Sequence, residues 1–304
     1  MNSQVSTPVT RLLFLTLLLV VMLPQQLRAD TIPPAEEEET SLEEASLDEI
    51  SRQLENPLTS LWSLTFQENY SIIEGDAVDG QDWTNNLFFQ PALPVPVGAK
   101  KDKVLIVRPV FPWVRSAYPV YDPESGDVGT GNDTGFGDMQ VFTMIGPNRK
   151  SGTVWGVGAT FKFDTASEDS LGQGKNQAGP AMMFINIGEN WTTGFIAQHW
   201  WSFSGDDSRD ETSQTDLQYI MRKRLPNGWS IGMGPTVTYN WKADSGNKLT
   251  FPVGLGITKT VRWGKTPVKL RLEPQYAIIR PDDLGTTWNI RLQITPVINS
   301  PFVN

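Results

Sequence analysis

Trp229-Ser230-Ile231-Gly232-Met233-Gly234-Pro235-Thr236-Val237-Thr238-Tyr239-Asn240-Trp241 decides the fold. Its odd positions are apolar or aromatic, and its even positions are small or polar. Period 2 marks a strand with two unlike faces. A soluble sheet would show the same alternation, so the ends of the stretch matter. Trp229 and Trp241 close it on the apolar face; at ~3.3 Å per residue and ~40° of tilt they lie roughly 30 Å apart in height. Indole rings settle at the membrane–water interface. A strand with tryptophan at both ends of one apolar face therefore suits a barrel wall that faces lipid.

The same alternation recurs on both sides of this stretch. Towards the N-terminus it runs through Trp62-Leu64-Phe66, Leu87-Phe89-Pro91-Leu93, Leu105-Val107-Pro109-Phe111-Trp113, Phe136–Ile145 and Trp155-Val157-Ala159-Phe161-Phe163. Ala178–Ile187, Trp191–Ser204 and Thr215–Leu225 lead up to it. Leu249–Ile257, Val268–Tyr276 and Ile290–Ile294 follow. Ala178–Ile187 is apolar on both faces, so its register is not readable. The pattern predicts an all-β chain over residues 59–304, a transmembrane antiparallel up-and-down β-barrel of about 12 strands, an even number as single-chain closure requires. Pro91, Pro109, Pro235, Pro252 and Pro274 each remove a ladder donor, which predicts bulges or irregular wall at those points.

Connections alternate in length, as in barrels with periplasmic turns and external loops. The short ones carry turn chemistry, such as Pro226-Asn227-Gly228 and Gly264-Lys265-Thr266-Pro267. The long ones are polar and acidic: Glu74–Asp82, Ser116–Asp133, Ser167–Gln177, Asp206–Ser213, Ala243–Lys248 and Pro281–Thr287. Basic residues, including Lys100, Lys101, Arg149, Arg222 and Arg224, gather at the short-turn end.

Ahead of the barrel, residues 1–29 read as a secretory signal. Arg11 precedes the apolar run Leu12–Leu23, Pro24 ends it, and Leu27-Arg28-Ala29 offers a cleavage site before Asp30. The run falls short of the ~20 residues a spanning helix needs. Residues 30–58 are acidic and partly helical. Thr40 with Glu43 can form a capping box, and Leu47, Ile50 and Leu54 share a helical face. The segment reads as a solvated tail or as a periplasmic helix that enters or caps the barrel.

Composition narrows the chemistry. The chain has no cysteine and one histidine, His199, which removes thiolate sites and leaves little for a histidine metal centre. A net charge of −9 argues against nucleic acid as a partner. No cofactor is implied; the expected partners are outer-membrane lipid and a small-molecule solute.

The period-2 count turns Arg108, Asp138, Lys162, Asp164, Asp216, Lys269, Arg271, Glu273 and Arg291 inward. A midplane Arg or Lys facing lipid would cost about 2–4 kcal/mol. Inside the barrel these charges either brace the wall as opposite-charge pairs or line a solute path. Arg108, Asp138, Lys162, Asp164, Lys269, Arg271, Glu273 and Arg291 are the candidate lumen-lining residues; no catalytic and no metal residue is assigned. His199 with Ser202 or Ser204 is the one Ser/His cluster. Positions three apart on a strand point to opposite faces, which separates His199 from Ser202. Asp206-Asp207-Ser208-Arg209-Asp210-Glu211 lacks the ordered spacing of a calcium loop and reads as a solvated external loop.

Several strings occur together in order: Asn56-Pro57, Trp155-Gly156-Val157-Gly158, Gly179-Pro180, Gln198-His199-Trp200-Trp201-Ser202-Phe203-Ser204-Gly205-Asp206, Leu225-Pro226-Asn227-Gly228-Trp229, Trp241-Lys242-Ala243 and Gly264-Lys265-Thr266-Pro267-Val268. Over residues 56–298 the chain resembles the outer-membrane barrel family of the phenol meta-cleavage degradation pathway. The resemblance implies an outer-membrane location and a transporter-like role in passive passage of small, aromatic or hydrophobic molecules. It leaves the substrate open. The chain departs from the usual outer-membrane ending by stopping at Phe302-Val303-Asn304. A structural or surface-interaction barrel with a packed lumen and a membrane-embedded hydrolase are the alternatives.

Overall fold

The computed structural model describes residues 45–301 except 57, 58, 60, 79, 125, 127 and 150. The signal, Thr40, Glu43 and residues 302–304 lie outside that set. A short helix, α1 (Leu47–Gln53), precedes fifteen strand segments. These are β1 (Leu61–Glu74), β2 (Gln81–Val97), β3 (Lys103–Tyr121), β4 (Val128–Phe136), β5 (Met139–Pro147), β6 (Gly152–Phe163), β7 (Lys175–Ile187), β8 (Trp191–Gly205), β9 (Ser213–Leu225), β10 (Trp229–Met233), β11 (Thr236–Asn240), β12 (Leu249–Gly254), β13 (Gly256–Trp263), β14 (Thr266–Ile279) and β15 (Gly285–Asn299). Each of the pairs β4/β5, β10/β11 and β12/β13 is one wall strand interrupted in the middle. β15 returns to pair with β1 through Leu61↔Asn299 and Glu74↔Gly285. The sheet therefore closes as a 12-strand antiparallel barrel.

Closure satisfies the backbone where lipid supplies no partner. The outer face carries two aromatic girdles. Tyr70 stacks on Trp83, Trp113 meets Phe136 edge-on, and Tyr239 and Trp241 touch at the long-loop end. Trp155, Trp191, Trp229 and Trp263 are exposed towards the other end. Lys259 bends along Trp229, 4.8 Å from the ring centroid, to donate to Asn227 O at 2.6 Å. That is how a lysine on the lipid face carries its charge to the interface. The turn below it puts Asn227 and Gly228 at φ of 62° and 72°, a conformation that Asn and Gly tolerate.

One expectation needs correction, and the interior adds a finding. Ser116–Asp133 is not a loop: β3 and β4 continue as a paired hairpin from Ser116↔Asp133 to Tyr121↔Val128. Its Gly, Thr and Asn content hides the pairing from a hydropathy count. The inner wall is also not uniformly polar. Val104, Ile106, Phe142, Met144, Val154, Met183, Ile185 and Ile196 form a buried apolar cluster on the inward face of β3 and β5–β8. This explains why Ala178–Ile187 is apolar on both faces. Met182 and Phe184 meet lipid while Met183 and Ile185 fill the interior.

The face assignment predicts an asymmetry. Val157 is 50% exposed on the outer face, so Val157→Arg should cost about 2–4 kcal/mol and impair assembly. Gln293→Arg, on the lumen wall, should leave a heat-modifiable folded band. Equal loss of that band in both variants would show the faces to be wrongly assigned.

Candidate functional site

The wall is least regular where proline meets proline or glycine. Gly232↔Gly256 is the last ladder pair on one side and Thr238↔Thr250 the first on the other. Between them residues 233–237 face 251–255 with no ladder pairing. The register is the same on both sides of this slit. Pro235 and Pro252 have no N–H to give. The flanking wall stays intact: Tyr219 N donates to Pro235 O, and Leu255 N to Pro274 O, each at 3.2 Å.

The freed peptide of Gly234 turns inward. Its N–H donates to Glu273 Oε1 at 2.8 Å, and its carbonyl accepts from Arg291 Nη1 and Gln218 Nε2, both at 2.9 Å. Glu273 is itself held by Arg271, whose guanidinium also donates to Thr258 Oγ1 at 2.8 Å and Gly232 O at 3.1 Å. Both members of this ion pair are almost fully buried. A buried pair is tolerable when its remaining donors and acceptors are met, and here they hold a kinked strand. Gly232 takes φ of +155°, and a Cβ there would come within 2.1 Å of Met221 O. On the outer face Tyr219 reaches across the slit and its hydroxyl donates to Pro252 O at 2.8 Å. Its ring meets Phe251 edge-on, with centroids 6.2 Å apart.

Inside lie two chambers of about 310 Å³ each. They share Gln67, Phe88, Asp216, Thr236 and Arg291, which form a waist beside the slit. The upper chamber, towards the long loops, is lined by groups such as Asn69, Asn86, Thr238, Thr250 and Asn289. The lower one sets Gln90, Gln140 and Gln198 against Val110, Ile185, Ile196 and Ile220. Leu54, Glu55, Asn56 and Thr59 form its floor.

That floor is tied into the short-turn end. Ser46 caps α1, accepting from Glu49 N at 3.1 Å, and Ile50 is fully buried against Ala45, Leu61 and Val297. Asp48 accepts from Gly228 N and Arg262 donates to Ala45 O. Asn56 Nδ2 donates to Arg149 O at 2.6 Å. Glu55 lies 3.4 Å from Arg222 and 3.9 Å from Lys269. Burial alone would raise the Glu55 carboxyl, but Arg222 and then Lys269 hold it below the ordinary glutamate value.

Of the sequence candidates, Arg108, Lys269 and Arg291 line the lower chamber. Arg271 and Glu273 brace the kink. Lys162 is buried with its ammonium 4.1 Å from the Trp200 ring centroid. Asp138 accepts from the backbone of Thr165, Ala166 and Gln173 and so shapes the loop after β6, where Asp164 is exposed. His199 packs tilted against Trp201, with ring centroids 4.0 Å apart, and is bonded to Thr215 Oγ1 at 2.7 Å, whereas Ser202 bonds Thr212. No cluster of three or more metal-ligating side chains occurs among the described residues. Sequence reasoning missed Glu55 and Tyr219. Neither carries a local signal, because each acts across the barrel on a residue distant in the chain.

No family model matches the chain, and no curated protein does. Among solved structures it is similar to the COG4313 outer membrane channel from Pseudomonas putida F1, at 12% identity and TM-score 0.59, over 79% of this chain and 96% of that one. The transport unit of the Escherichia coli autotransporter AIDA-I aligns over 79% of this chain and 90% of its own, at 13% identity and TM-score 0.45. The CymD monoaromatic hydrocarbon channel aligns over 88% and 94%, at 9% identity and TM-score 0.32. The fold is that of outer-membrane barrels.

The floor titrates. A carboxylate depressed in the docked state contributes to docking above its ordinary value, and that contribution is lost as pH falls through the depressed one. Ion conductance in planar bilayers should therefore stay level down to the ordinary glutamate value and rise as pH falls further below it. Glu55→Gln should raise it at neutral pH and flatten the dependence. An unchanged pH profile in Glu55→Gln would remove Glu55 from the closure.

Proposed function

We propose that the chain is an outer-membrane channel for passive passage of small, largely apolar molecules, aromatic ones included. The observation that carries this reading is the break in ladder pairing between residues 233–237 and 251–255, which lies beside the waist of the lumen. At the short-turn end Leu54–Asn56 and Thr59 floor the lower chamber. A solute entering from the long-loop side meets a polar upper chamber, then a half-apolar lower one. Its way out is sideways, past Thr236 and Pro252, where release of Tyr219 from Pro252 O parts the unpaired strands. Val253 and Leu255 are exposed to lipid on the outer side of that way. An apolar solute gains free energy by leaving water along this route. Export through a signal cleaved before Asp30, and membership of the phenol meta-cleavage pathway family, belong to the same reading and rest on the sequence strings.

The test uses the absence of native cysteine. Val237→Cys with Phe251→Cys, bridged by a short bis-maleimide, should lock the slit. Uptake of the apolar fluorophore N-phenylnaphthylamine by intact cells should fall to the level of cells lacking the protein, while ion conductance in planar bilayers at acid pH, where the floor opens, persists. Tyr219→Phe should raise uptake by releasing the hydroxyl. Undiminished uptake through the bridged barrel would move the route to the barrel axis. No uptake above background in wild type would favour a structural barrel with a packed lumen.

A further inference from the structure

Among the charged side chains of the lower chamber, Arg108 stands apart. Arg222 and Lys269 share Glu55. Arg291 is bonded to Asn69 Oδ1 at 3.2 Å and to Gly234 O at 2.9 Å. Asp216 accepts from Gln214 at 2.8 Å and Thr238 at 3.0 Å. Arg108 makes no hydrogen bond or ion pair among the described residues, and its Nε is buried without a partner. Its guanidinium rests 4.7 Å from the Phe142 ring centroid, which leaves its edge free. A guanidinium in a partly apolar cavity without an anion is costly, and a planar oxyanion pairs with it in two parallel hydrogen bonds.

The local wall favours the free edge. Arg108 belongs to the unpaired gap between Phe89↔Phe111 and Leu93↔Val107, where Pro91 and Pro109 face each other. The rest of the lining supplies an apolar surface in Val110, Ile185, Ile196 and Ile220, and neutral amides in Gln90 and Gln140. Counted as charges, Arg108, Arg222, Lys269 and Arg291 oppose only Glu55 and Asp216. The chamber is cationic although the chain as a whole is acidic.

We propose that the lower chamber binds an anionic amphiphile, a small carboxylate on an apolar chain or ring, with its carboxylate on Arg108 and its body against Ile185, Ile196 and Ile220. This rests on the channel reading for its physiological meaning, but the site itself is testable at equilibrium. A chamber of about 310 Å³ falls at the small end of ligand cavities. It suits a molecule the size of a medium-chain or simple aromatic acid.

Wild-type barrel in zwitterionic nanodiscs is titrated calorimetrically with octanoate and with octanamide, which matches it in chain length but lacks the charge. Empty nanodiscs supply the partition correction. Octanoate should bind about tenfold or more tightly than octanamide, the range expected of a charge-assisted pair. Arg108→Gln should remove the difference, and Arg108→Lys should keep part of it. Ile196→Asn should weaken both ligands alike. Heat-modifiability of each variant verifies the fold, and Arg108→Lys carries the test if Arg108→Gln does not assemble. Equal affinities in wild type, or a preference that survives Arg108→Gln, would overturn the inference. Octanoate binding without N-phenylnaphthylamine uptake would reject the channel and leave the site. Uptake without any preference for the anion would do the reverse.

Discussion

A peptide group in hydrocarbon must find its hydrogen bond inside the protein. That constraint closes the sheet through β1 and β15, and it also makes the places where pairing fails informative. Along most of the wall each strand is satisfied by its neighbours. Between β10/β11 and β12/β13 it is not, and the Gly234 peptide is supplied from the lumen by Glu273, Arg291 and Gln218 instead. An uncompensated backbone group there would cost several kcal/mol. The side chains that prevent that cost are among the most deeply buried charges of the barrel. The kink, the slit and the waist of the lumen all follow from this one substitution of side chain for ladder.

The interior combines two kinds of filling. On β3 and β5–β8 the inward residues pack like the core of a soluble protein. Facing them, Gln67, Asn69, Gln275 and Gln293 form an amide-rich wall on β1, β14 and β15, with Gln67 bonded to Gln293 at 2.6 Å and to Gln90 at 3.0 Å. A lumen that is polar on one side and apolar on the other can take a molecule with both characters. Neutral amides tolerate such a molecule, because they can re-form their bonds with one another or with water. The floor adds a different element. Glu55 neutralises Arg222 and Lys269 from a segment outside the sheet, so closure depends on an electrostatic contact that can be undone without breaking the barrel.

Much of this was legible in residue order. Alternation from Trp229 to Trp241, with tryptophan at both ends, identified a lipid-facing strand, and most of the outer faces follow the same count, with breaks at Phe136 and at Ile278-Ile279. The prolines announced where the wall would be irregular. The outer face has one feature the count exposes but cannot explain: Glu68 points outward, and the Asn85 amide donates to it from the next strand. Alternation could not say whether the inner face was wet or packed, because Met183 and Ile185 look the same in sequence whether they meet lipid or core. It also misjudged Ser116–Asp133, whose polar hairpin resembles a loop.

The sequence by itself determined the strand count, most of the faces, the short turns and the positions of the missing donors, because each depends on neighbours one or two residues away. Only the tertiary structure decided which charges find partners across the barrel and which are left without one. Arg271 and Arg108 occupy equivalent inward positions on their strands. One is buried against Glu273, its i+2 neighbour on the same face of β14, whereas the i±2 neighbours of Arg108 are Ile106 and Val110 and it has no anion. The rest of the difference is set by what the neighbouring strands bring: Gly232, Gly234 and Thr258 around the Arg271–Glu273 pair, Phe142 and an open chamber beside Arg108. The same holds for Glu55 and Tyr219, whose partners are fixed by the curvature of a closed sheet rather than by spacing along the chain.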